Sequence, residues 1–377
     1  MTRLPVRFST LFLFQFISLQ LFFSLCNPAD AQVDKETVSW SEALSQDAAW
    51  YSSTEARRIA DNLLIYQHPN GGWTKNIDMA KTLSNVEIAR IQNIQKNLSK
   101  TDNSTTIDNG ATYSQLWYLA LVIDKTQDKV LKDAFLKGID YLLEAQYDNG
   151  GWPQYYPIRR GYYENITFND GAMMGVMELL KDISSGNPPY KFVDAPRQKL
   201  ARNAVEKGLE VILKTQIKVD GKLTAWCAQY DPVDLSPTGA RAYELSSLSG
   251  SESVGIVKYM MELEDPDEKV KQAITSAMEW FEMSKLTDIK IIKKEDASLP
   301  RGYDLVVGFD PLGATPLWAR FYEIGTNFPI FVDRDGVVQY ALSEISHERR
   351  VGYRWLGDWA GDLSGDYARW FERWGSH

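Results

Sequence analysis

The chain has 377 residues, 44% hydrophobic, 12% aromatic and 24% charged, which is enough apolar material for one large domain or two ordinary ones and too much for a disordered protein. Its formal charge of -9 excludes a nucleic-acid binder that works by gathering phosphates, although local basic groups still allow an acidic ligand. Only His68, His347 and His377 are present, which argues against a histidine-based zinc or iron site.

The first residues read as an export signal. Arg3 and Arg7 precede an almost wholly apolar run from Leu11 to Leu25, and Ala29-Asp30-Ala31 offers a small-residue cleavage site. Residues 1–31 are therefore expected to be a signal peptide cut after Ala31, leaving residues 32–377 as a single domain. The apolar run is short for a membrane span and no other stretch is long enough, so the mature chain is expected outside any membrane, secreted or periplasmic. Lipid attachment at Cys26 is the alternative, but Leu25 directly before it fits that poorly. After cleavage Cys227 is the only cysteine, and no disulfide holds the fold.

Ser53 is placed to cap a helix over Thr54 to Tyr66. That helix runs into Gln67-His68-Pro69-Asn70-Gly71-Gly72-Trp73, a wording that returns at Gln146-Tyr147-Asp148-Asn149-Gly150-Gly151-Trp152. A degraded third copy follows at Gln216, Asp220-Gly221 and Trp226; the spacing of roughly 70 to 80 residues suits one pair of helices per period. Within the periods, Thr105-Thr106-Ile107-Asp108-Asn109-Gly110-Ala111-Thr112 runs into apolar periodicity from Tyr113 to Ile123. Ile166-Thr167-Phe168-Asn169-Asp170-Gly171 echoes it before Ala172 to Ile183, and a third apolar run spans Ser253 to Leu263. Amphipathic stretches Val130 to Ala145 and Leu200 to Leu213 lie between them. The economical architecture is mainly α, a toroid or barrel of helix hairpins in which every second loop faces one rim. Strands are expected only later, at Ile289 to Ile292, Asp304 to Val307, and around the Arg334-Asp335-Gly336 turn, as a small C-terminal β element. The aromatic stretch Tyr353 to Trp359 is expected to close over the scaffold.

Oxygen ligands are the chain's best chemical supply. Asp108, Asn109, Asn169 and Asp170 suit a hard cation such as calcium, and equally suit helix caps. The paired glycines read as helix terminators with Trp73 and Trp152 as core anchors; loops this rich in Trp, Tyr and Gln also suit a sugar cleft. Lys75 is a surface charge or a partner for an anionic ligand. Arg241 stands roughly where the earlier periods carry acidic pairs, with an ion pair to Glu244 as the plain alternative. Arg320, at the end of a helix-like Leu317-Trp318-Ala319-Arg320, and Arg334 are further candidates for gripping carboxylates.

With these residues in view, the chain resembles the polysaccharide lyase family 10 pectate lyases from about Asn70 to Trp359. The resemblance is carried by Asn70-Gly71-Gly72-Trp73-Thr74-Lys75-Asn76, Thr106 to Thr112, Phe168 to Ala172, Pro237-Thr238-Gly239-Ala240-Arg241-Ala242-Tyr243-Glu244 and Pro316 to Tyr322. Thr74 departs from the proline usual there. The resemblance implies an irregular (α/α)3 toroid and calcium-dependent β-elimination on polygalacturonate by a single, monomeric catalytic domain. It also implies Asp108, Asn109 and Asp170 at the calcium and substrate-carboxylate site, Arg241 as the base, and Arg320 and Lys75 on the uronate. A free arginine is essentially always protonated near neutral pH, so a base role requires neighbouring positive charge to lower its pKa.

Two other classes fit the residues less well. A glycoside hydrolase on an α/α barrel would use Asp108 and Asp170 as acid and base. A non-catalytic binder of acidic polysaccharide would keep the fold without needing Arg241. A terpenoid-cyclase-like toroid would need an apolar pocket with an Asp-rich or zinc site, and the sequence offers neither.

Overall fold

One glutamine and one tryptophan fasten each period of the chain. The Gln67 amide donates to the carbonyls of Gly71 (2.9 Å) and Ala134 (2.8 Å), Gln146 to Gly150 (2.9 Å) and Ala204 (2.8 Å), and Gln216 to Thr224 (2.8 Å) and Ala273 (2.9 Å). The indole N–H of Trp73 donates to Leu63 O, that of Trp152 to Leu142 O, and that of Trp226 to Ile212 O, at 2.9, 2.8 and 2.7 Å. All three tryptophans are fully buried. They anchor the core, and these three glutamine amides donate only to backbone, so none of these six side chains is placed to form a sugar-binding surface. Gly71 (φ +104°) and Gly150 (φ +102°) make the turns, where a Cβ would collide with the carbonyls of Lys137 and Lys207.

This is a computed structural model, and it describes residues 38–375. The expected signal peptide, its cleavage site and Cys26 lie outside the described residues. The helices are α1 (Trp40–Ala43), α2 (Thr54–Tyr66), α3 (Asn85–Asn97), α4 (Tyr113–Thr126), α5 (Lys129–Ala145), α6 (Ala172–Ser185), α7 (Ala195–Thr215), α8 (Glu252–Met261), α9 (Glu268–Met283), α10 (His347–Gly352) and α11 (Leu363–Trp374). Ser53 caps α2 by accepting from Ala56 N at 3.1 Å, as its sequence position predicts.

Packing runs in two rows. Helices α2, α5, α7 and α9 touch in succession, and the three glutamine amides staple the end of each to the next. Helices α4, α6 and α8 form the second row, followed by α11. The apolar character of α4, α6 and α8 on most of their surface places them inside, while the one-sided α5 and α9 form the outer wall. The result is the irregular (α/α)3 toroid, with hairpins α4–α5, α6–α7 and α8–α9. Among the described residues no helix is long and apolar enough to cross a membrane. Cys227 is buried and free.

The β structure is more dispersed than one hairpin. Ile289–Glu295 pairs with Tyr303–Phe309 in an exposed antiparallel ribbon, and Phe331–Val332 pairs with Val338–Gln339 across the Asp335-Gly336 turn. Leu317-Trp318-Ala319-Arg320 is not helical: Trp318–Ala319 pairs with Leu356–Gly357, and Phe321–Tyr322 pairs with Leu248–Ser249. Arg320 sits between these ladders, its N–H donating to Trp355 O at 2.7 Å and its carbonyl accepting from Gly250 N at 3.1 Å. Both ladders and both backbone bonds of Arg320 reach distant segments, which short-range periodicity does not register. The stretch from Tyr353 to Trp359 does close over the scaffold, with Trp355 buried against Phe321 and Phe331.

Candidate active site

The inner helices present their N-terminal turns to one another, and the backbone gives the three turns a common origin. Thr106 N, Thr167 N and Ser249 N donate to the carbonyls of Trp73, Trp152 and Trp226 at 3.1, 3.1 and 2.7 Å. Three residues beyond each lie Asn109, Asp170 and Glu252. The first two stand in the left-handed region, at φ 49° and φ 50°, on 3-10 turns over Asp108–Gly110 and Asn169–Gly171. Asn and Asp tolerate that conformation better than most residues, which explains their choice there. Neither turn caps its helix with a side chain. The capping alternative for these residues is therefore set aside, and their polar atoms are turned to other work.

Turns 108–110 and 169–171 pack side by side. Asp108 is buried; its Oδ1 accepts from Asn109 N at 3.0 Å, and its Oδ2 forms a short ion pair with Lys75. Burial works against the Lys75 charge, but Asp108 outweighs it and holds the ammonium pKa above its ordinary value. Asn109 is exposed and donates to Asn76 Oδ1 at 3.0 Å. Asp170 is exposed; its Oδ1 accepts from Arg320 Nη2 at 2.9 Å and its Oδ2 from Asn169 Nδ2 at 2.8 Å. Tyr113, beneath both turns, has its phenol pushed up to about 12, first by burial and then by Glu178, Asp108 and Asp170.

Arg320 ties the second turn to the third. Its Nη2 lies 2.5 Å from Glu252 Oε1, 2.9 Å from Asp170 Oδ1 and 3.3 Å from Asn169 Oδ1, while its buried Nε has no partner. Burial disfavours the charge, but Glu252 and Asp170 reverse this and raise the pKa. Glu252 was not singled out in the sequence. Ser249-Gly250-Ser251-Glu252, directly before an apolar run, is the signal that points to it.

Arg241 does not stand at the third-period counterpart of the acidic turns; Glu252 does. Arg241 lies on the loop after strand Pro237–Thr238, where Glu244 grips its guanidinium through both carboxylate oxygens, Nε at 2.6 Å. Glu244 also accepts from Tyr353 Oη at 2.7 Å. The Tyr353 ring lies 4.9 Å from the Arg320 guanidinium and 5.7 Å from that of Arg241, so one half-buried tyrosine links the two arginines. The neighbour that dominates Arg241 is a carboxylate. Its pKa is accordingly raised by Glu244, against burial, and not lowered by like charge as a base role would require. Arg334 is exposed and paired with Glu348 at 3.0 Å, and its guanidinium lies 5.8 Å from the Tyr243 ring that Arg241 also faces at 4.9 Å.

Among the described residues no three of His, Cys, Asp and Glu converge to hold a metal. The oxygens on the two adjacent turns still suit a hard cation, because each outward-facing donor is an amide or carboxylate oxygen.

This toroid, with carboxylates and cations alternating across one rim, has the character of a site for an anionic carbohydrate. The pectic acid lyase family matches residues 67–364. A family 10 polysaccharide lyase from Cellvibrio cellulosa is similar over 89% of this chain and 94% of its own, with 32% identity and a TM-score of 0.71. A mutant of a family 10 polysaccharide lyase from the same organism, solved in complex with trigalacturonic acid, is 33% identical over 87% of this chain and 96% of its own, again with a TM-score of 0.71. No curated protein sequence matches significantly. The chain belongs to the pectic acid lyase family, the family 10 polysaccharide lyases, and is a pectate lyase.

Proposed function

We propose that this pectate lyase is exported and cleaves polygalacturonate by calcium-assisted β-elimination, releasing 4,5-unsaturated oligogalacturonides. The observation that carries the reading is the meeting of turns 108–110 and 169–171 with Arg320, whose Nη2 bonds Asp170 and Asn169 directly. The trigalacturonic acid held by the Cellvibrio cellulosa relative belongs to the same substrate class.

Asp108, Asn109 and Asp170 would hold the calcium, with substrate carboxylate and water completing a shell that the protein leaves open. Bound there, calcium supplies positive charge that stabilises the enolate-like anion formed as C5 loses its proton. Lys75 and Arg320 position uronate carboxylates, each cation already beside an acidic residue of the chain. Arg241 accepts the C5 proton in its neutral form, the C5–H pair becomes the C4–C5 double bond as the C4–O bond breaks, the departing glycosidic oxygen takes a proton from solvent, Arg241 gives its own proton back to solvent, and no water is consumed. Glu244 holds Arg241 charged in the free protein, so the reactive fraction is small and grows with pH. A hydrolase would need one carboxyl to protonate the leaving oxygen, whereas Asp108 and Asp170 each face a cation.

Incubating the pure protein with polygalacturonate tests this. Near-ultraviolet absorbance from the conjugated product should rise with added calcium and stop with EDTA. New reducing ends without that absorbance would mean hydrolysis and overturn the reading.

A further inference from the structure

The cations of the cluster are already neutralised. Lys75 faces Asp108, Arg241 faces Glu244, and Arg320 faces Asp170 and Glu252. Arg159 differs. It is exposed, and its guanidinium lies 4.4 Å from the Tyr163 ring and 5.2 Å from the Tyr155 ring; among the described residues no hydrogen bond or ion pair engages it. Its neighbour Arg160 is paired with Glu164 at 2.9 Å, so the sequence does not merely supply spare charge at this loop.

The loop that carries Arg159 is built, not loose. Tyr155 is buried and bridges Thr106, Tyr156 N donates to Thr105 O at 3.3 Å, and Gln154 N donates to Tyr163 O at 3.0 Å. The Tyr155 ring that holds Arg159 is also the ring over which Lys75 lies, at 5.9 Å. Tyr163 lies against Tyr162 in a tilted pair with centroids 4.0 Å apart, and the Tyr162 hydroxyl is within electrostatic reach of Arg241. A row of aromatic rings therefore runs from Lys75 past Arg159 toward Arg241. Rings stacked on a guanidinium restrict its motion while leaving its N–H groups free for a carboxylate.

We propose that Arg159, held against Tyr155 and Tyr163, forms a further subsite for a uronate carboxylate, outside the cluster of Asp108, Asp170 and Arg320, and lengthens the stretch of polygalacturonate gripped. The proposal rests on the pectate-lyase reading. A polyuronate carries one carboxylate on every sugar, so an unpaired cation on an aromatic floor matches its repeat, whereas an already paired cation must first give up its partner.

The test is calorimetric titration of the full-length protein with hexagalacturonate, with calcium present and with Arg241→Ala added to each protein titrated so that no sugar is cleaved, together with steady-state kinetics on polygalacturonate with Arg241 intact. Arg159→Gln should weaken hexagalacturonate binding about tenfold, the scale of one charge-assisted hydrogen bond. The kinetic loss should fall on KM and not on kcat, which a merely structural role would not produce. Thermal melting of the variant at the wild-type temperature checks the fold. Unchanged affinity in Arg159→Gln overturns the proposal, and so does a loss confined to kcat. A wild-type protein that binds no hexagalacturonate would instead overturn the substrate reading beneath it.

Discussion

Arg320 reaches Glu252 across 2.5 Å in a buried setting, and through it the second and third inner helices share one guanidinium. Glu252 is itself buried and holds Ser249 in a further short hydrogen bond. Without Glu252 the buried guanidinium keeps only the exposed Asp170 as a carboxylate partner, and Ser249 loses its acceptor. Glu252→Ala is therefore expected to cost on the order of 3 kcal/mol, read as a lower midpoint in urea denaturation, and to raise KM as Arg320 loses its fixed position.

Arg241→Ala should lower turnover by about 10²- to 10⁴-fold, the usual scale of a general base, with substrate binding largely kept. Absorbance assays and a binding titration separate the two effects. Near-normal rates at alkaline pH would move the base role to Lys75 or a tyrosine.

The pH profile follows from the sign of the Arg241 shift. Glu244 raises its pKa, so the neutral form grows and the rate rises as pH increases. Glu244→Gln removes that carboxylate and lowers the pKa, so the rising limb of log kcat/KM against pH should move to lower pH. An unmoved limb would mean that a different group titrates.

Gln216→Ala should destabilise by ~2 kcal/mol, because it leaves the carbonyl of buried Thr224 without its amide donor and removes the second donor to Ala273 that staples α7 to α9. Chemical denaturation measures the loss. Below the melting transition kcat/KM on polygalacturonate should be unaffected, since Gln216 bonds only to backbone.

The helical frame was legible because its signals are local. Ser53, the Gln-to-Trp repeat and the apolar runs after Asp108 and Asp170 each lie within a few residues of what they specify, and helices appear where they indicate. No helix is expected from sequence at α1, α3, α9, α10 or α11, and α3 is polar enough to bury no residue. Arg320 was misread because Trp318 to Tyr322 bonds to segments far away in the chain. The partner of Arg241 was visible at Glu244. The dominance of that carboxylate over its pKa was not, nor was the bridge through Tyr353, which lies more than a hundred residues away.

Asn109, Asp170 and Glu252 arise at the same step beyond three backbone contacts to Trp73, Trp152 and Trp226, yet one carries an open amide, one an exposed carboxylate and one a sealed carboxylate. Polygalacturonate is a monotonous polymer with no internal landmark to tell one glycosidic bond from the next. On the proposed reading the landmark belongs to the protein: three equivalent positions bearing unlike groups would let a uniform strand settle in one alignment, and that alignment would decide which linkage breaks.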